Sequence, residues 1–101
     1  MKSIVQIDGT YCFICREAIG TETHHIFGAA NRKWSDADGL TIRVCRSCHE
    51  KIHFSDISGD LQRALHVLGQ TQWEVYFGPK LEAAGKDPRE EFMKRYGRNW
   101  L

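Results

Sequence analysis

Apolar positions along this chain change their period near residue 58. Before that point they come in short runs that alternate with polar residues. After it they recur every three or four positions, the spacing of a helix face. Residues 40–44 read Leu-Thr-Ile-Arg-Val, alternating and largely β-branched, and predict a strand. Residues 24–27, His-His-Ile-Phe, predict a second, and residues 3–7 a third that alternates only weakly. The stretch between the two better strands, GAANRKWSDADG, is rich in Gly, Ala, Asn and Asp and predicts a loop. From Cys48 onward, His-Glu-Lys-Ile-His-Phe reads as the opening of a helix.

In the second part, Leu61, Leu65, Leu68, Trp73, Tyr76 and Phe77 fall at roughly helical spacing behind Ser58-Gly59-Asp60, which offers an N-cap. Gly69 is where that helix would bend or break. A further helix is predicted from Pro88-Arg-Glu-Glu, with proline near the first position and acids in the first turn, and Gly97 is its stop. Phe92, Met93 and Tyr96 are expected on its core side, and the spaced aromatics of this half, Trp100 included, are expected to be mostly core. His66, among Leu65, Val67 and Leu68, reads as a packed or surface histidine rather than a ligand. The pattern predicts an α+β fold in one domain: a head over residues 1–57, and two or three helices over residues 58–101 packed on it.

At 101 residues the core can only be modest, and chains of this size often add a metal or a partner. No run of about 18 apolar residues is present. The start MKSIVQIDG also lacks the cationic stretch, apolar core and cleavage site of a secretory signal. The expectation is a soluble, cytoplasmic protein without a membrane partner. Formal charge is +1, from 14 Lys+Arg against 13 Asp+Glu, so bulk electrostatics do not announce a nucleic-acid binder.

All four cysteines fall in two identical turns, Cys12-Phe-Ile-Cys15 and Cys45-Arg-Ser-Cys48. Two Cys-x-x-Cys knuckles let four thiolates converge on one zinc ion. Without a secretion signal, this spacing predicts metal ligation rather than disulfides. The segment between the knuckles, residues 16–44, is longer than in a minimal zinc finger, so further structure is built there.

Four of the five histidines, His24, His25, His49 and His53, lie in the same head. On a helix, His49 and His53 stand at i and i+4 and present two imidazoles to one ion. In an alternating strand, His24 and His25 point to opposite faces, so they hold different jobs. One completes a three-ligand site with positions left open for water or phosphate. The other is free to act as a base, with a reference pKa of about 6.5. Cys48 directly precedes His49, so a structural zinc would fix the start of the helix that carries the other ligands.

The order His-His-Ile-Phe, then loop and strand, then Val-Cys-x-x-Cys-His-x-x-x-His resembles the HNH family of nucleases. These have a ββα-metal fold, and the likeness is strongest to small phage HNH proteins with a four-cysteine zinc site. The resemblance covers residues 12–54. It implies structural zinc on Cys12, Cys15, Cys45 and Cys48. It also implies one catalytic divalent ion (Mg²⁺, Mn²⁺, Ni²⁺ or Zn²⁺) on His24, with His49 and His53 as further ligands or phosphate contacts. His25 would be the general base that deprotonates the attacking water. The implied activity is metal-dependent hydrolysis of phosphodiester bonds in DNA, leaving 5′-phosphate and 3′-hydroxyl ends, in a host cytoplasm if the chain is phage-encoded. The family's middle asparagine precedes the second strand, where this chain reads Asp36-Ala-Asp-Gly39-Leu40. Asp38, as a hydrogen-bond acceptor, and Asn31, reaching back from earlier in the loop, are the two candidate substitutes.

Glu22 shares the strand face of His24 and would orient a ligand from behind, or sit as an exposed acid. Arg32, Lys33, Arg43 and Arg46 are candidate contacts to DNA phosphates, with plain exposure, or Trp34 packing back, as the alternatives. Near-neutral charge points to a recruiting protein or a homodimer as the source of affinity. The rival from another class is a zinc-stabilised module that binds nucleic acid or protein without catalysis.

Overall fold

Strands β1 (Glu22–His25) and β2 (Thr41–Val44) pair antiparallel, with Glu22 opposite Val44 and His24 opposite Ile42, in a computed structural model that describes all residues 1–101. This register puts Glu22, His24, Ile42 and Val44 on one face and Thr23, His25, Thr41 and Arg43 on the other. β1 lies two residues earlier than the predicted 24–27, and β2 is one residue shorter than the predicted 40–44. Beyond β1 the Ile26 N–H still donates to the Leu40 carbonyl (3.0 Å), and Ile26 and Phe27 are buried in the core. With its helices, the two-stranded sheet makes an α+β fold.

Residues 3–7 do not form the expected third strand. The Ser3 hydroxyl donates to the Thr41 carbonyl (2.6 Å) and accepts from the N–H groups of Val5 and Gln6 (3.1 and 2.9 Å). The Gln6 side-chain oxygen takes the Arg43 N–H at 2.7 Å. Side chains thus satisfy the outer edge of β2 where a backbone ladder would have run.

The predicted loop over residues 28–39 also differs: it holds a 3-10 turn (Ala29–Asn31) and a short helix, α1 (Arg32–Ala37). Asn, Ser and Asp are poor helix-interior residues, which hid α1. It forms because Ser35, fully buried, accepts the Phe27 N–H (3.1 Å) and donates to the Leu40 carbonyl (2.6 Å). Gly39 closes the turn at φ 73°, where an added Cβ would strike the Lys2 carbonyl oxygen.

Helix α2 (Arg46–Phe54) packs on β1, starting two residues before the expected point because Cys45 is its N-cap. Helix α3 (Ser58–Ala83) runs 26 residues without a break at Gly69. A Cβ at Gly69 would come within 2.8 Å of Ile26 and 3.0 Å of Phe27, so the glycine marks close approach to the head rather than a bend. Helix α4 (Pro88–Tyr96) starts where the Asp87 carboxylate accepts the Glu90 N–H (3.2 Å) and stops at Gly97, φ 89°, as predicted. Phe92 and Tyr96 are buried, but Met93 and Tyr76 are exposed, against expectation. Neighbours on a helix stand roughly 100° apart, so Met93 cannot share the face of Phe92. One core joins head and tail: Ile26, Phe27 and Ile52 with Leu65, Trp73 and Phe92. No helix is long and apolar enough to cross a membrane.

Candidate functional site

The first knuckle hangs on β2: the Phe13 N–H donates to the Arg43 carbonyl (2.9 Å) and the Cys12 N–H to the Ala18 carbonyl (2.8 Å). The second is the first turn of α2, where the Cys45 sulfur accepts the Cys48 N–H at 3.4 Å. Together they bring the sulfurs of Cys12, Cys15, Cys45 and Cys48 within 4.8 Å of one another, with all four thiols free. This cluster can hold a metal ion, and an all-sulfur donor set of two such knuckles suits structural zinc. Burial weighs against ionisation of Cys12, yet the backbone groups of Cys15, Cys45 and Ile14 outweigh it and bring that thiol down to about 6. Cys48, buried against the other sulfurs, is pushed up to about 12. Four thiols so close cannot all ionise alone, and a cation among them removes the conflict.

The histidines form a second centre. β1 supplies His24 and α2 supplies His49 and His53 one turn apart, so that their ring nitrogens also lie within 4.8 Å of one another. The three rings meet at centroid distances of 5.2 to 5.3 Å. Burial, then the charges of His49 and His53, hold the His24 imidazole down at about 4. At neutral pH it therefore offers a lone pair, as a ligand must. Glu22, on the same strand face, approaches His49 Nδ1 with Oε1 at 2.8 Å. A carboxylate only accepts, so Nδ1 carries the hydrogen, and in the neutral ring Nε2 of His49 keeps its lone pair, the arrangement that steers a metal-binding imidazole.

His25 lies on the opposite strand face, as alternation requires, yet it ends β1 and lines the same open cleft as the other three histidines, beside Arg32. Its Nε2 stands 3.1 Å from Oδ1 of Asp36, a contact that in the neutral ring places the hydrogen on Nε2 and the lone pair on Nδ1. A larger hollow beside the first knuckle, between Val5, Ile7, Tyr11 and Arg16, is lined mainly by apolar side chains and holds no histidine.

Neither expected substitute for the middle asparagine reaches His25. The Asp38 carboxylate is buried and accepts from Trp73 Nε1 (2.9 Å), both Nε and Nη2 of Arg95 (2.6 Å each) and the Tyr96 hydroxyl (2.7 Å). Asn31 Nδ2 donates to the Tyr96 carbonyl (2.9 Å). Both tie the loop to α4. The role of Asp36 was hidden because it turned on recognising α1: Asp36, in its last turn, faces His25, while Asp38, two positions on as the C-cap, turns inward.

The candidate phosphate contacts divide. Arg32 lines the cleft, whereas Arg43 is spent within the head, on the Gly20 carbonyl (3.2 Å) and the Thr23 hydroxyl (2.6 Å). Arg46 is exposed and pairs with Glu50 at 3.5 Å, and Lys33 lies over Trp34, 4.8 Å from the ring centre. Trp34 packs back, with the Arg95 guanidinium 4.2 Å from the ring centre. His66, stacked on Phe27 and against Trp100, is a packed histidine rather than part of the cleft.

Comparisons with family models, with curated proteins and with solved structures gave no match. The functional reading rests on the groups of the site and their placement.

Proposed function

We propose that this chain is a metal-dependent endonuclease of the HNH type that hydrolyses phosphodiester bonds in DNA, with β1, β2 and α2 as its ββα-metal head. One observation carries the reading: all four head histidines line one open cleft, three of them converging as ligands and the fourth held separately by a carboxylate. A solvated strand end would have no reason to gather them.

His24, His49 and His53 would hold the catalytic ion. Bound there, a divalent cation supplies a Lewis acid for the scissile phosphate and the leaving oxygen. His25 takes the proton of the attacking water on Nδ1, while Asp36 holds the ring by the other nitrogen and stabilises the imidazolium that forms. Water attacks phosphorus, the bond to the 3′ oxygen breaks, that oxygen takes a proton from solvent water, and the ends are 5′-phosphate and 3′-hydroxyl. Arg32, at the cleft, faces the phosphate as a fixed positive charge. The cysteine cluster holds structural zinc and so anchors the first turn of α2, just before His49. With a net charge of +1, tight recruitment to DNA falls to a protein partner or to a second copy.

The test is cleavage of supercoiled plasmid and of single-stranded DNA with Mg²⁺, Mn²⁺, Ni²⁺ or Zn²⁺, comparing wild type with His49→Ala and His53→Ala proteins that keep their cysteine-held metal. Cutting that needs added ion and is lost in both variants supports the reading. DNA binding without cutting under every ion would favour a non-catalytic binding module instead.

A further inference from the structure

Phe54 closes α2 one residue after His53, and 84% of its surface is exposed, more than for any other aromatic side chain; Tyr76 and Tyr11 follow at 57% and 53%. Its ring centre is 5.9 Å from that of His53. It shares a hollow with His49, His53 and Arg46, and the same two histidines also line the cleft that holds His25 and Arg32. The two carboxylates in that hollow are already engaged, Glu22 by His49 and Glu50 by Arg46. The helix end itself is fixed, since Gln62 Nε2 donates to the Ile52 carbonyl (2.8 Å) and the Ser55 hydroxyl to the Lys51 carbonyl (2.6 Å). A benzene ring exposed at a fixed helix end beside the histidine site adds nothing to the core. It offers a flat apolar face to whatever the histidines engage.

Building on the nuclease reading above, we propose that Phe54 is a stacking platform for an unpaired nucleobase flanking the scissile phosphate. It makes single-stranded or locally opened DNA the preferred substrate. Aromatic stacking on a base is sequence-tolerant, because every base has a π-face, and is not available from a base still stacked within an intact duplex. The phosphate occupies the cleft at the four histidines, and the adjoining base turns out over His53 onto the Phe54 ring.

The experiment uses the full chain carrying His25→Ala, so that substrate survives, and a fluorescein-labelled 20-nucleotide single strand and its blunt duplex. Binding is read by anisotropy with Mn²⁺ present. Phe54→Ala should weaken single-strand binding by about tenfold or more, in line with stacking energies per base, and change duplex binding by less than about twofold. Phe54→Trp should retain or tighten it. The cutting rate of the otherwise wild-type Phe54→Ala enzyme on single strands should fall in parallel. If Phe54→Ala leaves single-strand binding within about twofold, the platform is overturned while metal-dependent cutting by the wild type still upholds the nuclease reading. If Phe54→Ala instead abolishes self-association in sedimentation without touching DNA binding, Phe54 serves an interface between copies and the proposal fails. If the wild type neither binds nor cuts either DNA, both readings fall together.

Discussion

Asp36 and Asp38 stand two positions apart and meet opposite fates. Asp38 is buried and satisfies an arginine, an indole and a phenol at once, so Asp38→Ala strands four donor groups on three side chains. The expected loss is about 3–5 kcal/mol, the range for breaking a buried charge pair, read from urea melts. Asp36 is largely exposed, and Asp36→Ala should leave those melts unchanged while lowering kcat by about 10–100-fold, the usual effect of removing a group that orients a reacting one. The converse result would exchange their roles. His24 carries a pH dependence. In the folded chain it takes a proton only near pH 4, and in the unfolded chain near 6.5. Between these values the unfolded state binds the extra proton, so stability falls as pH drops from about 6.5 to about 4 and levels off below. His66, also lowered by burial, adds in the same direction. Melts of protein with the histidine ion removed and the cysteine-held metal kept should show this limb, and His24→Gln should flatten it.

At the scale of elements, the better strands and the α4 boundaries were legible because each has local chemistry behind it: β-branched alternation, a proline start, a glycine stop. What escaped notice depends on distant partners. α1 is held by Ser35 between Phe27 and Leu40, and the outer edge of β2 is occupied by Ser3 and Gln6 rather than by a strand. Gly69 is the clearest case, since a glycine in mid-helix reads as a break when only its neighbours are in view. Here it is the point where α3 touches Ile26 and Phe27. Gly69→Val should therefore destabilise despite the better helix propensity of valine. That propensity gains less than about 1 kcal/mol, whereas forcing branched carbons into a closed contact costs about 1–3 kcal/mol. A variant as stable as wild type would mean that α3 can move off the head without cost.

At the scale of the whole molecule, the candidate ligands were legible in the sequence, and so was Glu22 as a carboxylate to orient one of them, whereas its choice of His49 and the pairing of Asp36 with His25 were not. Knuckle spacing and the i, i+4 histidines are local signals; the pairing of Glu22 with His49 spans β1 and α2, and Asp36 reaches His25 across a turn. The cysteine cluster joins residues near the start of the chain to the helix that carries His49 and His53, so a metal held there would support the geometry of the cleft. Metal analysis should find about one firmly held zinc per chain, and a strong chelator should lower the melting temperature and abolish cutting together. The measurement that bears most directly on the central claim is the single-turnover cutting rate of His25→Ala against wild type, both zinc-loaded and folded, on the same DNA with the same added ion. The nuclease account predicts a fall of at least about a hundredfold in the variant, the lower end for removing a general base, with metal affinity at His24, His49 and His53 unchanged. Equal cutting by both proteins, or none by either, would contradict it.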